Sequence, residues 1–181
     1  MQVISHFVPS REEDRSSMVV SPEGKQSPSG GAGLGLIRML TADDHPNIHG
    51  SLEVLASLDP AFGLVTRLSG EESLMNAVAR VKPTIVVVGS LSRNPCVFDS
   101  VRELRGQFPD IRCVFLTSDL HRSNLAAAYT CGAFGFFAKG DELREIVDGL
   151  KAVSSCGRNA FIVGKKAMEQ CRRVVSQSGP S

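Results

Sequence analysis

Five short apolar runs, each followed by an amphipathic stretch, recur between residues 36 and 155. A run that is apolar at consecutive positions needs cover on both faces, which a parallel sheet flanked by helices provides. The pattern predicts strands at 36–41, 63–68, 84–88, 111–116 and 135–138, and helices at 47–58, 71–81, 97–108, 121–131 and 141–155. Pro46 stands before the first helix, Ser69 and Gly70 before the second, and Gly132 just after the fourth, all residues suited to helix ends. The expected architecture is α/β, a single (βα)5 doubly wound parallel sheet. A sixth apolar run at 160–163 leads into a last helix over 165–175.

A chain of 181 residues, 42% of them apolar, has material for one domain with a proper core. Residues 1–34 carry Ser, Pro, Gly and charge without periodicity and read as a disordered tail, as do 176–181. Met18 lies inside the first tail and offers a second translation start. The ordered part divides into a domain at 35–156 and a short extension with a helix at 157–175. The formal charge is +1 with both signs interspersed, so no bulk field marks the molecule for nucleic acid or anionic membrane. Cys96, Cys113, Cys131, Cys156 and Cys171 are far apart, with no Cys-x-x-Cys pair, and read as free thiols. No signal-peptide pattern or bilayer-length apolar run is present, and a cytoplasmic location is expected.

In an open parallel sheet the carboxyl ends of the strands line one crevice. Asp43 and Asp44 follow the first predicted strand, Thr117 the fourth and Lys139 the fifth, so this pattern brings acids, a hydroxyl and an ammonium to one pocket. The segment Ile37-Arg38-Met39-Leu40-Thr41-Ala42-Asp43-Asp44-His45-Pro46 carries the first of these groups. Phe108-Pro109-Asp110-Ile111-Arg112 and Val114-Phe115-Leu116-Thr117 carry the second. Gly132-Ala133-Phe134-Gly135-Phe136-Phe137-Ala138-Lys139 carries the third.

In these three segments the chain resembles the CheY-like receiver domain of two-component response regulators, in particular the type usually joined to a LuxR-like helix-turn-helix. The resemblance covers roughly residues 36–155 and implies a flavodoxin-like sheet of order 2-1-3-4-5. It implies that Asp43 and Asp44 match carboxylates that hold Mg²⁺, Thr117 the switch hydroxyl, Phe136 the switch aromatic, and Lys139 the lysine that binds the phosphoryl oxygens. An aspartate at the end of the third strand accepts the phosphoryl group in that family, and there this chain departs. Counting forward from Lys82-Pro83 and back from Phe108-Pro109 both place Gly89 at the acceptor position. Glycine has no group to phosphorylate. Ser90 is the adjacent hydroxyl, and a period of two turns it to the opposite face. Asp99 lies well into the next helix, as a surface charge. No cofactor is required on this reading, and Mg²⁺ held by Asp43 and Asp44 alone is weak.

Plainer readings stand beside these. Asp43-Asp44 suits a helix start, Lys139 a surface lysine and Phe136 ordinary core. Asp43-x-His45 is similar to the start of a cobalamin-binding motif, but position 48 is Ile where that motif needs Gly. Lys165, Lys166, Arg172 and Arg173 form either a small nucleic-acid patch or the wet side of an amphipathic helix.

The resemblance implies a stand-alone pseudo-receiver that is not an enzyme and signals by protein contact. Its surface is the fourth helix, fifth strand and fifth helix, residues 121–155, and a homodimer is compatible with it. The alternatives are a small-molecule or anion sensor using a crevice enlarged by the missing aspartate, and, more weakly, a DNA-binding regulator using the last helix.

Overall fold

The structure, a computed structural model, describes residues 2–4, 36–68, 72–89 and 96–177. Its elements are β1 (Gln2–Ile4), β2 (Ile37–Ala42), α1 (Pro46–Ser57), β3 (Phe62–Arg67), α2 (Leu74–Val81), β4 (Ile85–Val88), α3 (Val97–Gln107), β5 (Arg112–Thr117), α4 (Arg122–Thr130), β6 (Gly135–Ala138), α5 (Leu143–Ser155), β7 (Phe161–Val163) and α6 (Lys165–Gln177). They form a seven-stranded sheet of order β1-β7-β6-β5-β4-β2-β3. Six strands are parallel, and β1 is antiparallel to β7.

The five strands expected from the sequence occupy the order 2-1-3-4-5. The layout nevertheless extends one unit further than (βα)5. The sixth apolar run pairs with β6, Gly135 against Ile162 and Phe136 against Val163, and its three residues are buried. Left alone, β6 would be a buried apolar strand with an open edge, and β7 closes that edge. The extension at 157–175 is therefore part of the core rather than an appendage. Gln2–Ile4, placed by sequence reading in a disordered tail, pairs as Val3 against Ile162 on the outer side of β7. Three residues are too few to carry a strand signal of their own. The rest of the first tail, Ser69-Gly70, Ser90 and residues 178–181 lie outside the described residues, while α6 runs on to Gln177.

Side-chain alternation divides the core in two. Val86 and Val88 face a cluster with Leu74, Ala77, Val101, Leu104, Leu125, Ala128 and Ala167, so α2, α3, α4 and α6 share one face. Ile85 and Val87 face Leu52, Ala56, Ile146, Leu150 and Val153, which places α1 and α5 on the other. Helix starts follow local chemistry. Ser73 Oγ accepts from Asn76 N at 3.2 Å, so α2 begins at Leu74 rather than at 71. Gly149, mid-helix in α5, lets the Phe137 ring approach, since a Cβ there would lie 2.6 Å from Phe137 Cζ.

Register then sets the crevice. Ala42 pairs with Val88, and Thr117 with Ala138. The chain continues past these ends in step: Gly89 N donates to Ala42 O and Lys139 N to Thr117 O, each at 2.9 Å. Asp43 and Gly89 thus leave the neighbouring strands β2 and β4 at one level, and Lys139 leaves β6 two residues beyond it, at the same end of the sheet.

Candidate functional site

Asp43 is buried, with its side chain 3% exposed, and Lys139 Nζ lies 2.7 Å from its Oδ2. The Lys139 side chain is itself only 12% exposed. Oδ2 is sealed from solvent and has no aligned hydrogen-bond donor, so the ammonium compensates it by charge. The other oxygen, Oδ1, accepts from His45 N at 2.8 Å, a turn that the aspartate makes with its own backbone two residues on.

His45 Nδ1 sits 3.1 Å from Asp43 Oδ1 and 3.2 Å from Lys139 Nζ. A ring nitrogen cannot donate to the carboxylate and accept from the ammonium at once, so the tautomer selects between the two. Asp44 is exposed beside this group. Thr117 Oγ1 accepts from Asp119 N at 3.0 Å, folding the loop after β5 back on the strand end. Phe136 is 1% exposed within the core and faces the α4 side, not the crevice.

Gly89 is where the arrangement departs most from the expectation of an enlarged crevice. A Cβ built on Gly89 would fall inside the carboxylate of Asp43 and within 2.9 Å of its Cβ. The volume released by the missing side chain is filled by Asp43, which has Lys139 as its counter-charge. The ammonium stands on the oxygen a cation would need, and the described residues include no group of three His, Cys, Asp or Glu able to hold a metal. Burial pushes the Cys113 thiol up to about 12 and raises that of Cys131.

The expected contact surface is also altered. Phe136 and Phe137 are 1% and 2% exposed, the outer edge of β6 is taken by β7, and Tyr129 of α4 meets Phe161 of β7 edge-on at 5.4 Å. Within residues 121–155 the strand is therefore sealed by the chain's own extension. On α6, the Lys166 ammonium turns back to the Gly140 carbonyl instead of standing free in a basic patch. The sequence reading missed Asp141, treated there as a helix start. It is buried, and its carboxylate accepts from Ala138 N at 3.0 Å and from Lys166 N at 3.1 Å. The second partner is 25 residues away, so no local pattern announces it.

No protein-family model matches the chain. The chain is 32% identical over 122 residues to the response regulator GacA of Pseudomonas protegens, a match covering 65% of this chain and 55% of that protein. It is 24% identical over 120 residues to the DNA-binding transcriptional activator DevR/DosR of Mycobacterium tuberculosis, covering 66% and 55%. The fold superimposes on a LuxR-family two-component response regulator from Aurantimonas sp. with a TM-score of 0.66 at 20% identity, over 77% of this chain and 99% of that one. The chain therefore has receiver-domain homologues among response regulators and shares the fold of their receiver domains. The matches span about half the length of these curated relatives. No helix among the described residues is long and apolar enough to cross a membrane.

Proposed function

We propose that this receiver domain signals by protein contact in a phosphorylation-independent manner, its crevice held closed by the Asp43–Lys139 pair. The observation that carries this reading is the position of the Asp43 carboxylate, in the space a side chain at 89 would need, with Lys139 on it. In a responsive receiver the lysine meets the phosphoryl group and the acids meet the metal. Here the lysine supplies the positive charge and Asp43 the negative one, so the site is neutralised from within and needs neither. On this reading the domain is not an enzyme and takes no Mg²⁺. Because β7 seals the strand edge, the partner surface is made by α4 and α5 with α6 alongside.

Incubation with acetyl phosphate and excess Mg²⁺, read by intact-protein mass spectrometry beside a phosphorylatable receiver, tests this. The expected result is no added phosphoryl mass while the control receiver is labelled. Stoichiometric labelling at an acid of the crevice would overturn it.

A further inference from the structure

Among the described residues, Asp43 and Asp141 are the two buried carboxylates, and both hold the same turn. Asp43 takes the ammonium of Lys139, at the turn's first residue. Asp141, two residues on, ties the end of β6 to the start of α6 through Ala138 N and Lys166 N. Lys166 answers with its ammonium on Gly140 O. The N-terminus of α6 is thus capped by the loop that aims Lys139, not by a residue of its own segment. Gly164 permits the approach, since a Cβ there would lie 2.6 Å from Asp141 Oδ2 and 3.0 Å from Phe137 Cδ1. Next to the joint is a cavity of about 250 Å³ lined by Phe137, Asp141, Glu145, Asp148, Gly164 and Lys165, so the helix start has unfilled space on one side.

We infer that Asp141 is a positioning residue that couples α6 to the crevice: Lys139 stays on Asp43 while α6 is docked, and displacing α6 frees Lys139. This rests on the closed-pair reading and adds the element that regulates it. A partner that engages α6 reaches the crevice through one turn of chain, and by linkage any ligand that draws Lys139 away loosens α6. The buried carboxylate leaves the joint two arrangements, docked with both backbone donors satisfied or undocked with the acid hydrated. Intermediate positions would strand a buried charge.

The test uses the full chain, ¹⁵N-labelled, with two NMR readouts: the ¹⁵Nζ ammonium signal of Lys139 and amide hydrogen exchange at residues 166–170. Asp141→Asn should speed that exchange about fivefold, as for a lost cap, and should move or broaden the Lys139 signal. Gly164→Ala reaches the joint from the α6 side, driving a methyl group against the Asp141 carboxylate, and should do the same. Lys139→Met, at the far end of the turn, should speed exchange at 166–170 by more than it speeds the amides of α3. Wild-type exchange at 166–170 in Lys139→Met, or an unmoved Lys139 signal in both joint variants, would overturn the coupling. A wild-type Lys139 ammonium that exchanges like a solvated lysine would instead contradict the closed pair. The coupling would then stand or fall on the Lys139 backbone amide in the two joint variants.

Discussion

Two lysine–aspartate pairs of nearly equal length sit at opposite ends of one sheet. Lys139–Asp43 spans 2.7 Å at the carboxyl ends of the strands, with side chains 12% and 3% exposed. Lys151–Asp59 spans 2.8 Å at the amino ends, 40% and 23% exposed. The first is sunk among strand ends. The second borders a cavity of about 500 Å³ that Ile37, Thr84, Arg112 and Ser154 also line. Equal distances therefore conceal unequal roles. The exposed pair trades hydration for a weak attraction, whereas in the buried pair each charge, with His45 beside it, takes the place of water for the other. The end of the sheet where receivers do their chemistry is here the closed end.

The largest effect that would break this contrast concerns the buried pair. Lys139→Met leaves the Asp43 carboxylate buried without its counter-charge and should cost about 3–5 kcal/mol in urea denaturation. Adding Asp43→Asn should recover much of it, and a double-mutant cycle showing simple additivity would contradict the pairing. Next comes Gly89→Ala, which forces a methyl group into the Asp43 carboxylate and should cost about 2 kcal/mol or more by the same assay. Gly89→Asp should consequently fail to restore labelling by acetyl phosphate, because the acceptor's space is already occupied.

At the open end the effects shrink and one changes sign. Lys82 ends α2 with φ at 49°, the left-handed region that a side chain resists. Lys82→Gly should leave stability unchanged or raise it by up to about 1 kcal/mol. Smallest is the exposed pair. The hydrogen bond from Lys151 holds the Asp59 carboxyl below its ordinary value, followed by the one from Ala61 N. A lowered carboxyl contributes stability that is present above its unfolded value and fades as pH falls through the folded one. Asp59→Asn should therefore lower the melting temperature slightly at neutral pH, with the difference from wild type closing as pH falls through the acid limb.

What the sequence made legible was local. The run Ile85–Val88 is buried at every position, as a strand covered on both faces must be, and it announces itself as a parallel strand. Asp43, Gly89, Thr117 and Lys139 could be placed at one end of the sheet because each directly follows such a run or ends it. What stayed hidden depended on distant partners. Phe161–Val163 is a strand because β6 has an edge to cover, and Gln2–Ile4 because β7 has one in turn. Lys139 was expected at the crevice, but its choice of Asp43 depends on what is missing at 89. Asp141 reads as an ordinary helix start until the fold brings Lys166 N to it.

The most direct test of the closed crevice is a ¹⁵N amide NMR titration with Mg²⁺ followed by beryllofluoride. The account predicts resonances at Asp43, Asp44, Gly89, Lys139 and Phe136 that stay in place through both additions. Saturable shifts spreading from Asp43 and Lys139 to Phe136 would contradict it, showing a pocket that still opens to a cation and a phosphoryl mimic.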